Sequence, residues 1–223
     1  MPTLTDVLAF LSAVPTTTAL IILALAASVM VAVRDWRLSI FALALHYVLA
    51  SLFLTRIIRS DIAMIKMLVG ATICVTLYIT ARRASEGTVV APASTEALPG
   101  RWLTGRLRFE SGWPFRALVA LLGLVVATSA ATRLGLPSTL PEIVLACYIL
   151  FIQGLLALGL TDEPLKGGLG VLTVIIGFDL FYSGVEQSLI VVGLLGLVNF
   201  SIALAVAYLT TLQAGVPTTQ VSQ

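Results

Sequence analysis

The chain has 223 residues, of which 59% are hydrophobic and only 11% charged, and its mean hydropathy is +1.06. A soluble domain carries about 25% charged residues, so a water-soluble globule is excluded and an integral membrane protein is implied. The formal charge of +2 matters less than where the positive side chains fall along the sequence.

The opening segment, MPTLTDVLAFLSAV, has no Lys or Arg before its apolar part and so lacks the basic start of a secretory signal peptide. It reads as a short interfacial helix ending at Pro15. Three apolar stretches follow, over roughly residues 17–33, 38–56 and 61–81. Each is long enough to cross the hydrocarbon as a helix, which takes about 17 to 25 residues. His46 lies near the middle of the second stretch and Lys66 in the third.

Residues 82–115 form the only long connection. Its first half is rich in Ala, Ser, Thr and Pro and suits a flexible linker. The second half interleaves Arg101, Arg106 and Arg108 with Trp102, Leu107, Phe109 and Trp113. Between membrane helices, that mixture fits a lipid headgroup layer better than a nucleic acid. Four more apolar stretches run over roughly 116–133, 141–160, 165–184 and 188–210, carrying Gln153, Asp179 and Asn199 at depth. The tail, residues 213–223, reads as disordered.

The expected fold is therefore all-α, a polytopic membrane helix bundle of about seven transmembrane helices. Its parts are an N-terminal three-helix segment (1–81), a linker (82–115), a four-helix segment (116–212) and the tail. Arg34, Arg37, Arg82, Arg83, Arg101, Arg106, Arg108, Arg116 and Lys166 fall on one side, against Arg56, Arg59 and Arg133 on the other. The positive-inside rule then puts the N-terminus outside and the C-terminus in the cytoplasm, for a multi-pass protein of the cell inner (plasma) membrane. Cys74 and Cys147 lie inside apolar stretches and read as small packing residues. Stretches one to three and five to seven would run in the same directions, with Arg37 and Lys166 preceding the middle member of each set, a weak hint of internal symmetry.

An ionisable group inside a membrane span costs about 2.5 to 3.5 kcal/mol on insertion scales and usually faces protein or a wet cavity. Asp179 is the sharpest case, because its short side chain cannot reach the interface. Three, four and seven residues further on come Tyr182, Ser183 and Glu186, so a polar stripe runs from the aspartate toward the end of its helix. Lys66 can either join that stripe or snorkel outward. His46, the sole histidine, suits either a proton relay or quiet packing. Gln153 and Asn199 share faces with small residues, Ala146 and Ala157 for one and Gly196 and Ala203 for the other, which favours interhelical hydrogen bonds.

The stretch GFDLFYSGVEQ, preceded by Lys166 and followed by a helix carrying Asn199, resembles subunit K (chain 4L) of respiratory complex I, which has a Gly-x-Glu signature in its second helix. The C subunit of multisubunit sodium/proton antiporters is similar. The segments DWRLSIFALAL and IKMLVG resemble component E of the complex I-like membrane hydrogenases, a likeness that would cover most of the chain. The resemblance implies that Asp179 stands where the family has a glutamate and Lys66 where it has a membrane lysine. It departs in the last helix, where Asn199 replaces a second glutamate and cannot ionise.

The resulting expectation is a non-catalytic subunit of a complex I-like or Mrp-like assembly that helps form a proton or sodium path with other membrane subunits. Asp179, Lys66, His46, Glu186 and Asn199 are the path candidates, and Gln153, Tyr182 and Ser183 the packing candidates. No metal-ligand spacing, phosphate-binding loop or catalytic triad is evident, so no enzyme activity, cofactor, metal or nucleic-acid partner is expected. A purely structural subunit and an independent small-solute transporter are the alternatives.

Overall fold

The computed structural model describes residues 15–56, 60–87, 112–133, 141–185 and 189–215. The described residues form helices and short connections, with no strand. The helices are α1 (Thr16–Ala32), α2 (Trp36–Thr55), α3 (Ser60–Gly87), α4 (Trp113–Arg133), α5 (Pro141–Gly159), α6 (Pro164–Val185) and α7 (Leu189–Gly215). Proline opens α5 and α6 and occupies the second position of α4, where its missing N–H costs nothing. Asp35 caps α2 by accepting from the Arg37 backbone N–H at 3.0 Å. Within the spans, Ser51, Thr76, Thr173 and Thr210 donate back to carbonyls of their own helices at 2.8 to 2.9 Å. Hydroxyls that water cannot reach are thus satisfied locally.

Six helices, α2 to α7, are long and apolar enough to cross a membrane. The first is apolar but has 17 residues, about 25 Å of helix, at the lower limit for the hydrocarbon core. The expected seven spans are therefore six plus one short apolar helix. The interfacial helix expected before Pro15, the stretch with Arg101, Trp102, Arg106 and Arg108, and the final residues of the tail lie outside the described residues. Three expected boundaries shift, the first being the start of α4 at Trp113, inside the expected linker 82–115. Helix α3 continues past residue 81 through Arg82 and Arg83 to Gly87, and α7 continues past residue 212 to Gly215.

The packing forms two layers. Helices α1, α2 and α3 lie side by side, as do α5, α6 and α7, and the sets stack in register: α1 on α5, α2 on α6, α3 on α7. Helix α4 closes one edge against α1 and α5. Each set thus has the same neighbour order, with its middle helix between the other two. Leu43, Phe53, Ile73, Leu150, Leu169 and Leu172 fill the space between layers. The outward faces carry residues such as Phe41, Leu118 and Ile190, 71%, 63% and 81% exposed, which suit acyl chains.

The tightest seam joins α5 to α6. A Cβ on Gly154 would lie 2.9 Å from the Gly170 carbonyl oxygen, and one on Gly170 would lie 2.8 Å from the Leu158 nitrogen. Only glycine lets the two backbones approach so closely. Gly167, Gly168 and Gly170 form a cluster in the sequence. It lies wholly inside α6, no glycine among the described residues has a positive φ, and the role left is packing. On α4 a stripe of Ala120, Gly123 and Ala127 faces inward, and at its start the buried Arg116 donates from Nε to the Val31 carbonyl at 3.0 Å.

Candidate functional site

Helices α3 and α6 belong to opposite layers, and each contributes one buried ionic group to the same point. Lys66 on α3 turns into the bundle, and its ammonium pairs with the Asp179 carboxylate on α6. It also donates to the Ser183 hydroxyl at 3.3 Å. Asp179 and Ser183 are four residues apart, so one face of α6 presents both groups to Lys66. The side chains of Lys66 and Asp179 are 14% and 12% exposed, and Ser183 is fully buried. Outward snorkelling of Lys66, one of the two sequence readings, is not what the structure shows.

The pair forms part of the wall of a cavity of about 340 Å³ between α2, α3, α6 and α7. It lies in the half of the bundle where α2 ends and α3 begins. Asn199 enters the wall from α7 and Tyr47 from α2; Ile176, Leu180 and Phe200 supply apolar surface. Gly70, one turn after Lys66, makes room for Tyr47: a Cβ there would fall 2.4 Å from the tyrosine ring. Neither Tyr47 Oη nor Asn199 Oδ1 has a hydrogen-bond partner among the described residues.

The other expected site residues lie elsewhere. His46 is fully buried and adjoins Tyr47 in sequence, but does not line the cavity, and both its ring nitrogens lack a partner among the described residues. Gln153 donates from Nε2 to the Ala120 carbonyl at 2.8 Å, tying α5 to α4 well away from Asp179. Tyr182 is half-buried and stacks on Phe178 with ring centroids 6.2 Å apart. Glu186 lies outside the described residues. Among the described residues no three His, Cys, Asp or Glu side chains converge in a metal-binding group.

Besides Thr72 on α3, the polar cavity residues that the sequence reading passed over are Tyr47 and Ser51. Their spacing of four puts both on one face of α2, a signal overshadowed by the neighbouring His46. The arrangement supplies a carboxylate, an ammonium and a hydroxyl in contact, with a mostly apolar recess beside them that also holds Tyr47 and Asn199. It can hold a charge balance that shifts when a proton or small cation arrives. Comparison of the chain with protein-family models, with curated proteins and with solved structures finds no match.

Proposed function

We propose that the chain is a non-catalytic subunit of a larger ion-translocating membrane assembly of the complex I-like or Mrp-like kind. In this reading the Lys66–Asp179 pair is part of a proton or sodium path completed by partner membrane subunits. The observation that carries it is the placement of that pair across the two layers, at the wall of a cavity. Keeping two opposite charges in a span is expensive, and apolar residues of similar size would hold the helices at least as well. Retention of the pair is explained if its charge balance is used.

The chemistry is simple. A proton reaching Asp179 neutralises the carboxylate and frees Lys66 from its counter-charge. Its ammonium then retains only the Ser183 hydroxyl and can orient toward the cavity. Loss of that proton restores the pair. A sodium ion at the carboxylate would displace the ammonium in the same way. Asn199 can order water beside the pair but cannot take its turn as an acid.

The test is Asp179→Asn in the intact assembly, purified through a tag on this chain and reconstituted in vesicles holding a pH-sensitive dye. Ion movement should fall steeply while subunit composition stays unchanged; undiminished movement refutes the proposal. The purely structural reading draws support from Gln153, which shows the chain using a buried polar group to tie helices. It predicts that the same variant loosens assembly or lowers thermal stability without a specific transport defect. An independent solute transporter is less favoured, because α3 and α6 run unbroken past the pair and offer no unwound backbone for a substrate.

A further inference from the structure

The cavity beside the ion pair opens sideways. Toward their C-terminal ends α3 and α7 contribute buried residues, Ile73 and Leu77 on one and Ala203 and Val206 on the other. Nearer their N-terminal ends the cavity wall instead includes Ile65 and Leu197, 55% and 62% exposed. Between them lie Gly193 and Gly196, whose added Cβ atoms would meet nothing within 4 Å. This flank of the cavity wall thus faces the hydrocarbon.

What lies inside does not match a hydrocarbon occupant. Tyr47 and Asn199 are 7% and 4% exposed, both line the cavity, and the Tyr47 hydroxyl and Asn199 Oδ1 have no partner among the described residues. Such buried groups are costly unless satisfied, and a mostly apolar pocket with a few converging polar atoms is the usual form of a small-molecule site. The volume of about 340 Å³ falls within the customary range of about 300 to 1,000 Å³.

The geometry points to a binding site for an uncharged, membrane-soluble, single-chain amphiphile whose head is an amide, entering between α3 and α7. The head N–H donates to Asn199 Oδ1, the Tyr47 hydroxyl donates to the head carbonyl, and the tail leaves past Gly193 into the bilayer. A charged head is disfavoured, because Lys66 and Asp179 already neutralise each other and a third charge would enter without a counter-ion. Binding in this pocket does not depend on whether Asp179 carries protons.

The test uses the full chain in lipid nanodiscs and a dodecanamide bearing a photoreactive diazirine in its tail. Adducts should concentrate on Ile65, Val69, Leu197 and Phe200. Plain dodecanamide should compete them away, while dodecanoate and dodecylammonium compete poorly. Asn199→Leu should weaken labelling by about tenfold, the loss of one buried hydrogen bond. Gly193→Phe, placed where nothing obstructs a side chain, should block the mouth and lower labelling without disturbing the fold. The proposal is overturned if adducts spread evenly over the lipid-facing helices, if all three head groups compete equally, or if both variants label like the parent chain.

Discussion

Two faces of α6 are built on opposite plans. Toward α5, Gly154, Gly170 and Gly177 bring backbone against backbone and leave little room for even a methyl group. Toward α3 and α7 the same helix presents Ile176, Asp179 and Leu180 to a cavity of about 340 Å³. The difference teaches how a membrane protein keeps a hollow open. Buried space collapses when neighbouring elements can slide, because lining atoms lose contacts on one side. By locking α6 against α5 without side chains, the fold removes its freedom to move into the cavity.

The sharpest way to break this contrast is Lys66→Met. It strands the Asp179 carboxylate and should cost about 3 to 5 kcal/mol, read as thermal or denaturant unfolding in detergent. Adding Asp179→Leu should recover most of that loss, since two apolar groups replace the pair; a double variant as unstable as the single one would mean the pair itself holds the layers together. Next comes Gly154→Val on the sealed face, where the new side chain meets backbone that cannot yield. A loss of about 1 to 3 kcal/mol is expected, and a shifted α6 should also reduce any cavity labelling. Gln153→Leu deletes the hydrogen bond to Ala120 and should cost about 1 kcal/mol with the cavity unaffected. Gly193→Leu is the smallest, within about 0.5 kcal/mol, because the site is open. A large effect there would mean that the mouth is closed in solution.

Much of the fold was legible because a membrane helix announces itself as an unbroken apolar run, and all seven helices fall where such runs lie. Their ends were less so. Hydropathy falls at residue 81, yet Arg82, Arg83 and Ala84 are good helix formers and carry α3 onward. Hydropathy marks where lipid contact ends, not where backbone hydrogen bonding ends. Pro141 and Pro164 mark the starts of α5 and α6, and Pro114 follows the first residue of α4; as first-turn residues they locate these starts where hydropathy alone does not.

The candidate site was legible by residue type and illegible by geometry. Asp179 and Lys66 stand out because charge is rare at that depth. That they touch depends on the rotation of two helices separated by more than a hundred residues, which no local spacing encodes. Tyr47 was hidden for a related reason: an amphipathic ring is unremarkable until a facing glycine, Gly70, shows that room was made for it. His46 drew notice by chemistry alone, and the structure sets it apart from the cavity.

The bond from Arg116 to the Val31 carbonyl bears on how the protein is made. Val31 sits in the last turn of α1, where carbonyls have no amide of their own helix to accept from. Its donor is synthesised 85 residues later, at the head of α4. During translation, then, the first three helices leave the ribosome with one end of the bundle still unfastened, and the fourth supplies the clasp. A nascent chain halted before Arg116 should dwell longer beside its insertion machinery than one released just after it.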